Sequence, residues 1–284
     1  MDKYNLEKYK FSVLMSVYYK EKPENLSVCI ESILNQDIVP NEIVIVKDGI
    51  LDQELENVID RYVRIYKSIF KIVELSKNVG LGNALNEGLK HCSYELVARM
   101  DSDDICNYDR FRKQIEVFIN NKELSIVGSY IDEYDENMKI QLSTRTVPTE
   151  NDKIFNYLKH RNPFNHMSVM YRKSDVIDSG MYIEIRGFED YYLWYRMLNK
   201  GYRSHNIDES LLKVRTGNSL ICRRIGISYF KNEFYFQKTI LNEGYITYFD
   251  FISNMLIRGI PRLLPFQLLR FIYFKVIRKG IHQK

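Results

Sequence analysis

Short apolar segments rich in β-branched residues alternate with amphipathic helical segments through the first half of the chain. Residues 11–17 and 42–46 are runs of the kind that form buried parallel strands. A helix opened by Pro23 is predicted between them, and a further helix is predicted at residues 81–91. Strands that alternate with helices form βαβ units, so we expect an α/β fold with a mostly parallel central sheet flanked by helices.

A cluster of acids follows the fourth predicted strand. Asp101, Asp103 and Asp104 come directly after the apolar segment at residues 94–98. In open α/β sheets, ligands bind at the carboxyl ends of the strands. Two carboxylates one residue apart can share a divalent cation, and such a cation suits a diphosphate. We therefore predict a metal–diphosphate site at Asp101 and Asp103. For Asp104 we expect N-capping of the helix predicted at residues 108–120.

Further polar residues are predicted at the same edge of the sheet. Asp48 follows the second strand and is a candidate partner for a ribose hydroxyl or a base, with a simple turn role as the alternative. Asn78 and Gly80 lie in a loop that runs into a helix, where close approach of the backbone to a nucleotide would need glycine. The loop lacks the GxGxxG spacing of a dinucleotide site. Arg99 is expected to offset a diphosphate charge, with a surface role as the alternative.

Asp190 is the candidate catalytic base, at the start of a helix predicted for residues 189–200. It stands on the same face as the apolar stripe of that helix. A carboxylate on an inner face costs free energy unless it is used or paired, which favours catalysis over N-capping. Glu189 is rotated off that face by about 100° and is expected to support the reaction or bind the acceptor. His166 is a candidate acceptor contact, with a structural role as the alternative. The apolar stripe of the helix predicted at residues 189–200 consists of Leu193, Trp194, Met197 and Leu198.

Positive charge is concentrated at the end of the chain. The net charge of the 284 residues is +4, yet residues 251–284 contain seven Lys or Arg and no acid. A basic amphipathic helix is predicted at residues 266–279, and its length of roughly 20 Å is too short to span a bilayer. We expect it to lie on an anionic membrane surface, with packing on the protein body as the alternative. Its aromatic residues lie on the apolar face, which argues against nucleic-acid binding.

The remaining composition predicts a cytoplasmic protein at the inner face of the cell membrane. The four cysteines have no paired spacing, which is typical of reduced thiols. The N-terminus is polar and mixed in charge, so no signal peptide is expected. No stretch approaches 18 uninterrupted apolar residues. We interpret residues 1–220 as one catalytic domain and residues 221–284 as a helical extension that associates with the membrane.

Taken together, the motifs make the chain resemble the family 2 inverting glycosyltransferases, which have a GT-A fold. More narrowly, it is similar to the bacterial amylovoran-type enzymes that build capsular and exopolysaccharides. The resemblance covers about residues 10–220, and the basic helical tail is also similar. The motifs that carry it lie at residues 16–21, 45–49, 78–82, 98–104, 161–166 and 188–190.

The resemblance implies roles for individual residues. Asp101 and Asp103 would form a DxD motif that holds Mn²⁺ or Mg²⁺ against the donor diphosphate, and Asp190 would be the general base. Arg215 stands where many relatives have a metal-binding histidine; it cannot ligate a cation but can pair with a diphosphate. The residues expected to bind the donor are Ser16, Tyr18, Glu21, Asp48, Asn78, Gly80, Arg99, Asp101 and Arg215.

The reaction implied is transfer of a hexose such as galactose or glucose from a UDP donor to a lipid-linked oligosaccharide, in the synthesis of a capsular, exopolysaccharide or other cell-surface glycan. Two alternatives are weighed against it. A sugar-1-phosphate nucleotidyltransferase usually needs a glycine-rich basic loop after the first strand, and residues 18–23 contain no glycine. A noncatalytic nucleotide-sugar or membrane-surface binding protein would leave Asp190 and the acidic pair unexplained.

Overall fold

A single mixed sheet forms the centre of the protein. The computed structural model describes residues 9–216 and 226–263, and in these residues the sheet has nine strands. The strands are β1 (Phe11–Val17), β2 (Glu42–Lys47), β3 (Phe70–Glu74), β4 (Leu96–Arg99), β5 (Ile105–Cys106), β6 (Leu124–Tyr134), β7 (Gln141–Arg145), β8 (Met170–Arg172) and β9 (Arg203–Arg215).

Helices cover both faces of this sheet. The longer ones in the described ranges are α1 (Pro23–Leu34), α2 (Gln53–Ile65), α3 (Leu81–His91), α4 (Arg110–Asn120), α5 (Asn151–Leu158), α6 (Lys173–Asp178), α7 (Glu189–Asn199), α8 (Ile227–Asn242) and α9 (Tyr248–Asn254). One 3₁₀ turn spans His166–Ser168, and α9 continues as a π-helical turn, Met255–Gly259, and a 3₁₀ turn, Ile260–Leu263.

The order of the strands creates a crevice beside β1. The sheet runs β3-β2-β1-β4-β8-β6-β9-β5, with β7 paired to β6. The first four strands are mutually parallel, whereas β8 is antiparallel to both β4 and β6. The chain passes from β1 outward to β3 and then returns to place β4 on the other side of β1. Ligands of open α/β sheets bind at such a reversal, outside the carboxyl ends of the strands.

Both faces of β1, β2 and β4 are buried, which explains why these strands are nearly continuous apolar runs. Val13 and Met15 of β1 point into the core on one face, together with α1, α2 and α4. Leu14 points into the core on the other face, where α3 and α7 pack. The expected α/β architecture with a largely parallel central sheet is confirmed.

Most predicted elements lie within a few residues of the observed ones, and α3 matches at both ends. Residues 166–171 also read as a strand in the sequence, and this prediction is wrong in its first half. There Ser168 donates from its amide and its hydroxyl to the carbonyl of Asn165, and these local bonds form a 3₁₀ turn instead of a ladder. The 13-residue strand β9 was not predicted, because its central residues, His205 to Ser210, are mainly polar and do not alternate.

The described part of the C-terminal region packs directly on α7. Phe236 of α8 stacks on Phe188 with ring centroids 4.7 Å apart, and Tyr245 stacks on Tyr195. Residues 217–225, where the predicted domain boundary falls, lie outside the described ranges, as does the basic helix predicted at residues 266–279. Within the described residues, no helix combines the length and apolarity needed to cross a bilayer.

Cys29, Cys92 and Cys106 are buried free thiols. This agrees with the expectation of reduced cysteines for these three positions. Cys222, the fourth cysteine, lies outside the described residues.

Gly49 permits close contact between the loops after β2 and β3. Its φ is +90°, and a Cβ there would lie 2.7 Å from the amide nitrogen of Asn78. Gly201 has nearly the same φ, +92°, but a Cβ there would meet no described atom within 4 Å. We expect Gly49→Ala to lower the free energy of unfolding by roughly 1–3 kcal/mol more than Gly201→Ala, because only the first adds overpacking to the backbone strain. Urea unfolding of both variants measures this, and equal losses would contradict it.

Candidate active site

Three carboxylates converge directly after β4. One carboxylate oxygen from each of Asp101, Asp103 and Asp104 lies within 4.8 Å of the others. Burial, reinforced by the negative charges of Asp101 and Glu21, raises the pKa of Asp103 to about 7. Burial and the two neighbouring aspartates also raise the pKa of Asp104 well above its ordinary value. These carboxylates repel one another, and a divalent cation would relieve that repulsion.

Asp104 belongs to this cluster and does not cap a helix. Its Oδ1 accepts a hydrogen bond from the amide of Arg215 at 3.0 Å, and its buried Oδ2 has no partner among the described residues. The expectation that it caps the next helix is wrong. The short strand β5 follows it and pairs with β9, so that α4 begins only at Arg110. An unpartnered carboxylate oxygen beside Asp101 and Asp103 fits a third oxygen ligand for a cation.

Arg99 lies beneath the acidic cluster. Its side chain is only 2% exposed and forms an ion pair with Asp101. Nε and Nη1 of the guanidinium are buried and have no hydrogen-bond partner in the described structure. The alternative of a surface role for Arg99 is therefore wrong. A buried guanidinium with unpartnered N–H groups at the crevice is suited to a further anionic oxygen.

Arg110 supports the same segment from below, and the sequence alone did not identify it as part of the site. Its Nη2 donates to the carbonyl of Arg99 at 2.7 Å, and its Nε donates to Gln114 at 3.1 Å. Nη1 contacts the sulfur atoms of Met100 and Cys106 at 3.1 and 3.3 Å. The one available signal was the i, i+4 spacing of two polar residues on the buried face of α4.

Asp190 occupies the first turn of α7, facing the crevice. Asn162 Nδ2 donates to its Oδ2 at 2.7 Å. Burial raises the pKa of Asp190, while the bond from Asn162 and the charges of Arg99 and Arg145 act in the opposite direction. The net shift is upward, so this carboxylate is a stronger base than an ordinary aspartate. The apolar stripe predicted for this helix is buried, but α7 is also buried on its other sides, through Tyr191, Tyr192 and Tyr195.

Glu189 and His166 lie on the same side of the crevice. The carboxylate of Glu189 accepts from the amide of Gly187 at 3.0 Å, and a Cβ on Gly82 would touch its Cγ at 3.3 Å. The amino end of α3 therefore meets the amino end of α7. His166 Nε2 bonds the hydroxyl of Tyr182 at 2.9 Å, and burial holds the pKa of His166 well below its ordinary value. The imidazole is therefore neutral. Acceptor binding by both residues stays a prediction.

Asp48 organises the loop that leads into α3. Its carboxylate accepts from the amide of Val79 at 2.7 Å, from the amide of Gly80 at 3.2 Å and from Asn78 Nδ2 at 3.0 Å. Gly80 has a φ of +85° and precedes the first residue of α3. The structure thus brings Asp48, Asn78 and Gly80 together as expected. Their contact with a nucleotide stays a prediction.

The loop after β1 reaches the acidic cluster through Glu21. Its Oε2 accepts from the hydroxyl of Ser102 at 2.5 Å. Tyr18 is 37% exposed and packs edge-to-face on Tyr19, which leaves ring surface available at the crevice. Ser16 pairs with Val46 of β2 near the carboxyl end of β1. These placements are compatible with a donor site on this loop. Donor binding by Ser16, Tyr18 and Glu21 stays a prediction.

Arg215 fastens the end of β9 to the acidic segment. Its Nε donates to the carbonyl of Asp103 at 3.3 Å, and its Nη1 donates to the carbonyl of Glu136. Its charge lowers the pKa of Asp103, partly offsetting the larger effect of burial. The guanidinium thus lies beside the acidic cluster, and its pairing with a diphosphate stays a prediction.

Comparison with known sequences decides the family. Residues 12–184 match the profile of the family described as Glycosyl transferase family 2. The chain is 40% identical over 270 residues to the amylovoran biosynthesis glycosyltransferase AmsE of Erwinia amylovora, covering 95% of this chain and 100% of that protein. This chain is a family 2 glycosyltransferase. It is also 39% identical to an Escherichia coli UDP-Gal:alpha-D-GlcNAc-diphosphoundecaprenol beta-1,3-galactosyltransferase, covering 95% of this chain and 97% of that enzyme.

Solved structures show that this glycosyltransferase has the expected GT-A type of fold. A mannosyltransferase from Pyrobaculum calidifontis, in complex with GDP-Man and Mn²⁺, has a TM-score of 0.65 at 14% identity and covers 95% of this chain and 76% of its own. The S. aureus TarS fragment 1–349, in complex with UDP-GlcNAc, has a TM-score of 0.59 at 21% identity and covers 94% and 75%. At these identities the likeness concerns the fold.

Arg110 provides a test of how the acidic segment of this glycosyltransferase is held. We expect Arg110→Lys to lower the free energy of unfolding by roughly 2–4 kcal/mol, because a lysine cannot satisfy both the Arg99 carbonyl and Gln114. Arg112→Lys, on the half-exposed face of the same helix, is the matched control. Its ion pairs are screened by water, so a loss below about 1 kcal/mol is expected. Denaturant unfolding measures the free energy of unfolding of both variants. Similar losses in the two would contradict the supporting role of Arg110.

Proposed function

We propose that this glycosyltransferase moves a hexose such as galactose or glucose from a UDP donor to a lipid-linked oligosaccharide, with inversion at the anomeric carbon. The observation that carries the proposal is one crevice in which the acidic cluster and Asp190 both lie within the field of the buried Arg99. The galactosyltransferase at 39% identity, whose name gives UDP-Gal and a diphosphoundecaprenol acceptor, supports both substrates. The product would enter a capsular, exopolysaccharide or other cell-surface glycan.

Residues of the chain supply the proton transfer and the orientation of the acceptor. The acceptor hydroxyl oxygen attacks the anomeric carbon while the bond from that carbon to the diphosphate breaks. Asp190 takes the hydroxyl proton on its carboxylate, and Asn162 holds that carboxylate in place. Glu189 and His166 would contact the acceptor sugar. Arg99 and Arg215 balance the negative charge that develops on the leaving diphosphate.

A divalent cation, Mn²⁺ or Mg²⁺, fits the acidic cluster. Carboxylate oxygens are the ligands that such hard cations prefer. Asp101 and Asp103 would hold the ion, and the unpartnered Oδ2 of Asp104 is a third oxygen available to it. When bound, the cation would act as a Lewis acid on the donor diphosphate. The crevice further offers Ser16, Tyr18, Glu21, Asp48, Asn78 and Gly80 to the nucleotide.

The protein would work in the cytoplasm, peripherally at the inner face of the membrane, where a lipid-linked acceptor is anchored. The basic sequence from residue 251 to residue 284 supports attraction to an anionic membrane surface. Residues 1–220 would form the catalytic domain, and residues 221–284 would form the membrane-associating extension.

Donor turnover tests the proposed activity. UDP-, GDP- and dTDP-sugars are incubated with the full chain and a membrane lipid extract, once with Mn²⁺ and once with EDTA. We expect one UDP-hexose to be consumed with Mn²⁺ and not with EDTA, because the clustered carboxylates require a cation to accept a diphosphate. Release from no donor, together with unchanged nucleotide binding in Asp101→Ala, would favour a noncatalytic binding protein instead.

Replacement of Asp190 separates proton transfer from donor binding. We expect Asp190→Asn to lower kcat by about 10²–10⁴-fold while the Kd for the donor changes little, because an amide keeps the shape but cannot accept the proton. Asp178→Asn, a surface aspartate paired with Lys200, is the matched control and should leave both quantities unchanged. Initial rates give kcat, and calorimetry gives the Kd for the donor. Equal loss of binding and turnover in Asp190→Asn would overturn its role as the base.

A further inference from the structure

Seven large apolar side chains project outward from α9 and the two turns that follow it. They are between 47% and 80% exposed and lie within sixteen consecutive residues. Five of them follow one another at intervals of three or four residues, which is the spacing of a single helical face. We refer to the seven as the C-terminal apolar face, and they are Tyr248, Phe249, Ile252, Leu256, Ile257, Ile260 and Leu263.

The opposite side of the same segment is polar and is anchored to the protein. Asn254 is buried and donates from Nδ2 to the carbonyl of Lys159 at 2.8 Å and to Gln237 at 3.0 Å. Arg258 pairs with the fully buried Glu233 at 3.1 Å. The usual arrangement of a surface helix is thus inverted, because the hydrogen-bonding side faces inward and the apolar side faces outward. An exposed apolar stripe of this kind marks a surface that binds an apolar partner.

We propose that the C-terminal apolar face inserts into the interfacial region of an anionic lipid bilayer. Charge complementarity supports a bilayer over a second protein copy. From residue 251 onward the chain has seven Lys or Arg and no acid. One of the seven, Arg258, is paired with Glu233 on the inward side and is not counted toward this surface. Apolar side chains next to clustered cations are the combination that binds the boundary of anionic membranes. The choice of occupant rests on the proposed lipid-linked acceptor.

The anchored side joins this face to the candidate base. Arg258 donates to the carbonyl of His160 at 2.9 Å and contacts the hydroxyl of Tyr191, the neighbour of Asp190. The ring of His160 also bonds Asn254 at 3.3 Å. Two residues further along the chain, Asn162 holds the carboxylate of Asp190. A bilayer bound to the apolar face would therefore lie at a fixed position relative to the base, which suits an acceptor whose lipid remains in the membrane.

Vesicle binding by the full chain tests the proposal. The double variant Phe249→Ser/Ile257→Ser is compared with Ile65→Ser/Ile140→Ser, which removes two apolar side chains of similar exposure elsewhere. The probe is phosphatidylglycerol–phosphatidylcholine vesicles in a sedimentation assay. We expect the first double variant to lose at least about tenfold in vesicle affinity and the second to keep the parental value. The difference should persist at about 0.5 M salt, since burial of apolar groups is not screened as charge attraction is.

Two further measurements identify other occupants and separate this inference from the proposed activity. Equal vesicle binding by parent and face variant, or no binding by the parent, would overturn the membrane role. A parental dimer that the face variant converts to monomer in light scattering would assign the face to a second copy and would also overturn the membrane role.

Turnover with a water-soluble short-chain diphosphate acceptor should be unchanged in the face variant. If neither the parent nor the face variant turns over this acceptor, the result would count against the proposed acceptor and would leave the vesicle-binding result unaffected.

Discussion

The buried charge of Arg99 holds together a group of carboxylates that would otherwise repel one another. Asp101 pairs with it directly, and Asp103 and Asp104 follow within three further positions. Arg110 holds the carbonyl of Arg99 from beneath, so that a second buried guanidinium fixes the backbone that carries the first. Electrostatic interactions are strong where water is largely excluded, so the charge of Arg99 offsets part of the repulsion among these carboxylates, while Arg110 acts only through the backbone.

The same crevice is built from segments far apart in the sequence. The reversal of strand order at β1 brings the loop after β1 beside the end of β4, and Glu21 bonds Ser102 across that gap. From the other side, α7 delivers Asp190, and the contact of Gly82 with Glu189 brings the amino ends of two helices together. The residues proposed for the donor and those proposed for the acceptor therefore fall on opposite sides of one opening, as transfer between two bound sugars requires.

Local sequence patterns predicted those elements whose conformation depends mainly on their own residues. Strands β1 and β2 are nearly continuous apolar runs, and α3 is an amphipathic segment that follows a glycine-containing loop, so these elements were predicted closely. Local patterns were poor predictors where the conformation of a segment depends on pairing with a distant strand. The mainly polar centre of β9 becomes a strand because β6 supplies a partner along its length. Asp104 resembled a helix cap in sequence, yet the pairing of β5 with β9 moves the helix start and leaves the carboxylate in the acidic cluster.

By itself, the sequence determined the α/β class, the acidic pair at the end of a strand and the position of Asp190 on the inner face of its helix. Each depends on residue periodicity and on neighbours within a few positions. Only the tertiary structure decided that Arg99 is buried, that Arg110 supports it and that α9 turns its apolar side outward. Burial and partnership depend on which distant surfaces meet, and no local pattern in a single sequence specifies that.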